Sequence, residues 1–184
     1  VSKILHFQVN RTQYVLVAKL YDGTTYSLNS TLYRWDGSAT QLHEIQQIGT
    51  EGAEHLNHFL INDEHYVVIA NSFQVVTIES GVIEGTYNTL SKIYKMDVAS
   101  GSLILVASLP TKGAKAIEVI QIGGETMLLV ANSYDDQTIE VDSVLYRFDV
   151  NASRNCDDMP GYFDRDGDTC EVWADWTNLC SHSD

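Results

Sequence analysis

The residues Val130–Tyr134 read VANSY, and Ile69–Phe73 read IANSF; a looser version, VAKLY, occupies Val17–Tyr21. Aligned on their alanines, Ala18, Ala70 and Ala131, the copies lie 52 and 61 residues apart. A second series, STLYRW, SKIYKM and SVLYRF, aligns on Tyr33, Tyr94 and Tyr146 with steps of 61 and 52. One insertion, near Val75 to Gly85, reconciles the two ladders. A third landmark recurs as IGTEGAE at Ile48–Glu54 and LPTKGAK at Leu109–Lys115. Self-similarity at a step of about 50 residues is the mark of a repeat architecture, and it governs the reading of everything else.

Within a repeat, IEVIQI (Ile117–Ile122) alternates, GG turns the chain, TMLLVANS is almost continuously apolar, and SVLYRF alternates again. The preceding copy adds a fourth segment, GSLILVASLP, before its TKGA turn. Turn residues separate these runs, and no 3.6-residue amphipathic pattern competes. Four short antiparallel strands per repeat are expected of a β-propeller blade. The continuous runs YVVIA and MLLVA suit strands covered on both faces by neighbouring blades. The sequence therefore predicts an all-β chain: β-propeller blades of four-stranded antiparallel sheets at about 4–48, 56–109 and 117–150, the last without its fourth strand. About three blades make an incomplete ring, and a small cysteine-rich tail occupies 151–184.

The order Y-h-h-h-A-N-S-[FY], a variable turn, S-h-[IL]-Y-[RK]-[WFM] and h-P-T-x-G-A resembles the epilepsy-associated repeat, EAR or EPTP, over roughly residues 4–150. That resemblance implies a seven-bladed propeller that serves as an extracellular protein-binding platform without catalysis. Three blades do not close such a ring. The shortfall leads us to expect further blades in a longer parent chain, in keeping with a sequence that starts on Val1, or self-association through the open blade edges.

The tail differs in kind. Residues 151–184 hold eight acids, two bases and all three cysteines, Cys156, Cys170 and Cys180. A segment this short with little aliphatic content needs a staple, and three cysteines allow one bridge with one left over, whose pairing stays open. The pattern from Cys156 to Cys180 is similar to ShK-like cysteine-rich modules. Its Asp164, Asp166 and Asp168 gather hard oxygen ligands of the kind calcium takes, but Gly167 stands at the fourth position of the loop and no glutamate follows at the twelfth, so an acidic turn is the favoured reading.

The formal charge is −14, from 25 acids against 11 bases. That repels phosphate backbones and excludes nucleic acid as a partner. No apolar run reaches the roughly 18–20 residues of a membrane-spanning helix. Sequons at Asn10, Asn29 and Asn151, with the cysteine-dense tail, point to the secretory route and an extracellular or cell-surface location. His55, His58 and His65 fall within eleven residues and are a candidate zinc set, but a strand over 56–61 puts His58 on the face of Leu56 and Leu60 and leaves His55 in the turn before it. Nucleophile elbows, phosphate loops and zincin motifs are missing, so no enzyme is expected and no cofactor beyond the calcium option.

Ala70, Asn71 and Ser72, with Ala131, Asn132 and Ser133, are read as structural: a small residue in a crowded blade, then an Asn and a Ser that bond the local backbone. Function is expected where the repeats differ, in the insertion of the middle blade and in the tail. The combined reading is a non-catalytic module of a larger secreted or cell-surface repeat protein that binds another extracellular protein or a glycan. The alternative is a calcium-dependent lectin-like or matrix-structural module.

Overall fold

The computed structural model describes residues 1–77 and 83–150. The cysteine-rich tail, with Asn151, Cys156, Asp164, Asp166, Asp168, Cys170 and Cys180, lies outside them. The chain divides into two units between Phe148 and Asp149, and the first holds every strand described below.

Lys3–Val9 (β1), Thr12–Ala18 (β2), Ser27–Asp36 (β3) and Gln41–Glu51 (β4) form the first sheet, an antiparallel meander in chain order. The second sheet contains Ala53–Ile61 (β5) and Glu64–Asn71 (β6), then Asn88–Asp97 (β9) and Ser102–Lys112 (β10). Between its second and third strands a separate hairpin, Gln74–Thr77 (β7) with Ile83–Thr86 (β8), accounts for the insertion that sets the two sequence ladders out of step. The third sheet has three strands, Ala116–Ile122 (β11), Glu125–Ala131 (β12) and Val144–Phe148 (β13). These are propeller blades of four, four and three strands, and among the described residues every regular element is a strand.

Each blade opens with the same two-residue hairpin. Asn10 and Arg11, Asn62 and Asp63, and Gly123 and Gly124 all have positive φ, as the type I′ turn that suits strand twist requires. The fourth strands share a defect as well. Opposite the Leu32/Tyr33 step, β4 skips Ile45, and opposite Ile93/Tyr94, β10 skips Val106. Such a bulge bends the outer strand and increases its twist.

The core lies between the sheets. Phe7, Tyr14, Leu16, Ala18, Leu32 and Ile48 of the first blade pack with Leu56, Val67, Ile69, Tyr94, Met96 and Leu103 of the second. Pairing alternates the faces, so these residues define a rear face on blade one and a front face on blade two. The rear face of blade two, with Phe59, Tyr66, Val68 and Ile93, covers Ile117, Leu128 and Val130 of the third. Phe148 stands edge-on to Phe59 at 5.9 Å and to Tyr66 at 5.7 Å. On the outside of the stack, Gln46 of β4 donates to the Leu103 carbonyl at 2.9 Å and accepts from the Leu103 amide at 2.8 Å, so one side chain extends β10 as a strand would.

Leu16 and Ile69 meet at this first interface with no exposure at all. Leu16→Ala and Ile69→Ala are each expected to cost about 2–5 kcal/mol in denaturant unfolding, the range for large-to-small changes in a packed core.

Candidate functional site

The strand registers bring Ala18, Ser27, Glu51, Ala53, Asn71, Asn88, Lys112, Ala116 and Ala131 to one end of the sheets. All three repeated landmarks meet there. Asn71 sits at the end of β6, fully buried. Its Oδ1 accepts from the Glu51 amide at 3.2 Å, in the last strand of the blade before, and its Nδ2 donates to the Leu90 carbonyl at 2.8 Å, in the next strand of its own blade. The asparagine therefore bridges backbone 20 and 19 residues away, where a local turn was expected. Ser72 Oγ donates to the Gly52 carbonyl at 2.8 Å, and Ser91 Oγ accepts from the Asn71 amide at 3.1 Å while pairing with Thr111 Oγ1 at 2.9 Å.

The next junction repeats the pattern. Asn132 Oδ1 accepts from the Lys112 amide at 2.9 Å, and Ser133 Oγ donates to the Gly113 carbonyl at 2.7 Å. The glycine of the T-x-G-A turn is required: Gly52 has φ +60, and a Cβ there would stand 3.2 Å from the Phe73 amide nitrogen. In blade one Lys19 and Leu20 occupy the Asn and Ser positions, and what persists is the Lys19 amide donating to Ser30 Oγ at 3.3 Å. Ser30 Oγ in turn pairs with Thr50 Oγ1 at 2.9 Å.

Above this clasp the fifth residue of each motif forms a second array. Tyr21 stacks on Tyr26 at 4.5 Å between ring centres, Tyr26 meets Phe73 at 4.7 Å, Phe73 meets Tyr87 at 4.9 Å, and Tyr87 meets Tyr134 at 4.7 Å. Five rings thus run across three blades, with Tyr21 exposed and the rest partly so. The hairpin β7–β8 leaves the sheet between Phe73 and Tyr87. Its base is held from blade three, where Asp136 accepts from the Tyr87 amide at 2.7 Å, Thr86 Oγ1 at 2.5 Å and Asn88 Nδ2 at 2.9 Å. Asp22 and Asp135 flank the row. Backbone amides, of Thr25 and Thr24 in one case and chiefly of Thr138 in the other, hold both carboxyls below the usual range.

The tyrosines of the second ladder have three environments. Tyr94 is buried between blades one and two, which pushes its hydroxyl up to about 12. Tyr146 donates to the Pro110 carbonyl at 2.5 Å, and burial raises it too. Tyr33 pairs with Val15 and Glu44 on the front of blade one. Asn10 is in the exposed β1–β2 turn at the opposite end of the sheet, and Asn29 lies on β3, donating to Gln47 Oε1 at 2.9 Å.

The histidines do not converge as a zinc set. Strand β5 starts at Ala53, so His55 lies within it rather than in a turn, and a bulge at Glu54 places it opposite Ala70 while His58 lies opposite Val67. His55 takes the amide of Ile117 at 3.5 Å on the blade-three side, whereas His58 stacks on Phe7 of blade one at 4.9 Å. His58 and His65 share a 2.9 Å hydrogen bond between their rings. Among the described residues no three His, Cys, Asp or Glu side chains are placed to hold a metal ion.

Residues 41–97 match the family model described as the EPTP domain. This frame runs from β4 to the end of β9, and it contains Thr50, Gly52, Asn71, Ser72 and Ser91 of one junction. Two curated relatives are similar to the chain. The mouse "Thrombospondin-type laminin G domain and EAR repeat-containing protein" is 30% identical over 191 aligned residues, covering 77% of this chain and 28% of that protein. Its human counterpart is 32% identical over 192, covering 77% and 29%. The chain is an EAR/EPTP repeat protein, and it spans less than a third of the length of these relatives.

The clasp and the histidine pair each carry a test. Asn71→Ala strands two part-buried backbone groups and is expected to cost about 1–3 kcal/mol, against about 1 kcal/mol or less for Asn132→Ala, whose bonds are exposed to water. Burial, followed by the neighbouring His65, holds His58 down to about 4 from an ordinary 6.5. The unfolded chain therefore takes up that proton first. The stability contributed by neutral His58 is complete above pH 6.5 and is lost as pH falls toward 4. Thermal melts at pH 7 and 4.5 should differ less for His58→Phe than for the native chain.

Proposed function

We propose that this chain is a non-catalytic extracellular binding module, which presents the clasp end of its blades to another extracellular protein or a glycan. The row of five aromatic rings carries the reading. Aromatic side chains offer large contact area at small entropic cost, and tyrosine adds a hydroxyl for orientation. The clasp beneath holds the row on rigid backbone, and among the described residues the β7–β8 hairpin leaves the sheet beside it in the middle blade alone, so this end combines a shared platform with a feature that differs between repeats. Both curated relatives are named for a thrombospondin-type laminin G domain and EAR repeats, which accords with secretion. No helix of the described residues is long and apolar enough to cross a membrane.

Two measurements test the proposal. Secreted through a eukaryotic pathway, the chain should carry a glycan that endoglycosidase removes and that Asn10→Gln diminishes. Fluorescently labelled chain should then bind intact cells, with affinity lowered at least about tenfold by Tyr21→Ala and Tyr134→Ala, a loss typical of interface aromatics, and unchanged by Asn10→Gln at the far end. Equal binding by all variants would remove this end from consideration. Asp164, Asp166 and Asp168 are the one calcium option: addition of calcium should leave the melting temperature unchanged, and a rise would favour the calcium-dependent module.

A further inference from the structure

Charge at the clasp end is as unevenly placed as the aromatic rings. The loops that join the second strand of a blade to the third, 19–26, 72–87 and 132–143, carry the whole row. Among their described residues stand six acids, Asp22, Glu84, Asp135, Asp136, Glu140 and Asp142, against one base, Lys19. The two lysines of the adjoining TKGAK turn are ion-paired, Lys112 with Asp135 at 3.3 Å and Lys115 with Glu54. Asp22 and Asp136 are held differently, by neutral donors. Oδ1 of Asp22 accepts from the Thr24 and Thr25 amides at 2.8 and 2.9 Å, and Asp136 accepts from the Tyr87 amide, Thr86 Oγ1 and Asn88 Nδ2. Such donors fix a carboxylate in place and leave its charge uncompensated.

The rings beside these carboxylates are nearly all phenols. Gly85 of β8 lies so close to Phe73 that a Cβ there would overlap its ring, so the hairpin covers the one phenylalanine of the row. Tyr21, Tyr26, Tyr87 and Tyr134 are left exposed or partly so. Tyr26 reaches Phe73 across the first junction and Tyr87 reaches Tyr134 across the second, so the surface is built where blades meet. Asp22 and Asp135 follow Tyr21 and Tyr134 in the chain, and Asp136 is tied to the backbone of Tyr87. The electron-rich face of a ring attracts a cation, and a guanidinium combines stacking on that face with hydrogen bonds from its edge to a carboxylate.

We infer that this end takes an arginine-rich, extended segment of another extracellular protein, with guanidinium groups stacked on the phenol rings and paired with the flanking carboxylates. The inference rests on the clasp end being the binding face, and it narrows the partner from a protein or a glycan to a basic peptide. The same carboxylates repel a sulfated glycan, and a neutral sugar leaves their charge unused.

The test is fluorescence anisotropy with the secreted chain and a labelled peptide of alternating arginine and proline, beside copies with lysine or glutamate in place of arginine. The arginine peptide should bind with a Kd below about 100 μM, and at least about tenfold more weakly at about 0.5 M than at about 0.05 M salt, because salt screens exposed charges. The lysine copy should bind at least about threefold more weakly, since an ammonium stacks less well. The glutamate copy and a heparin oligosaccharide should not bind. Asp22→Asn keeps the Oδ1 acceptor and removes the charge, and should weaken the arginine peptide by about threefold or more. Tyr134→Leu should remove the preference for arginine over lysine, and Tyr134→Phe should keep it. Asp63→Asn, in the turn at the far end, should change nothing, and unaltered melting of each variant separates these results from misfolding. Competition by the arginine peptide against binding of the native chain to cells needs no variant. If cell binding depends on Tyr21 and Tyr134 while the arginine peptide neither binds nor competes, this inference fails and the binding face stands. If cell binding ignores those tyrosines, the binding face itself fails. Heparin or the glutamate copy binding as tightly as the arginine peptide, or undiminished binding by Asp22→Asn, also overturns the inference.

Discussion

The amide of Asn71 reaches back to the last strand of one blade and forward to the third strand of the next, and the rest of the stack depends on bonds of this kind. A propeller blade is a small sheet with two apolar faces. Hydrophobic burial brings such faces together but is non-directional, whereas an amide that satisfies one donor and one acceptor fixes where the sheets meet. The T-x-G-A turn, the A-N-S end of the second strand and the serine of the third are therefore parts of a single junction. Their spacing in the chain is the spacing of the groups that Asn71, Ser72 and Ser91 hold together.

Burial follows position in the stack more than local sequence. The second strands β6 and β12 carry YVVIA and MLLVA, equally apolar runs. In β6 the last six residues are all buried, because blades lie on both sides; in β12 burial alternates, because among the described residues a blade lies on one side of it. Repeat proteins behave as one-dimensional stacks in which each unit is stabilised by its neighbours.

Blades, meander order, the place of the insertion and the repeated Asn-Ser motif were legible in the sequence because they recur in register. The aromatic row was half visible: Tyr21, Phe73 and Tyr134 end the three opening motifs, and Tyr26 and Tyr87 precede the third strands. Nothing in the linear order says that rings 47 residues apart, such as Tyr26 and Phe73, come into contact. The bidentate reach of Gln46 to Leu103 left no signal at all, since the tie has no repeat counterpart to reveal it. His55 was misplaced because a bulge at Glu54 lengthens β5 at its start, and a bulge is a choice of backbone pairing that side-chain alternation does not record.

By itself the sequence determined the all-β class, the strand count of the three blades and which residues are equivalent between them, because period and turn chemistry are local properties of a chain. The tertiary structure decided which equivalent residues are buried, that Asn71 bridges blades and does not cap a turn, that His55 and His58 lie on opposite faces, and that five aromatic rings share one end. Each of these depends on which sheet faces which, and that is settled by packing between segments tens of residues apart, where alternation and spacing carry no information.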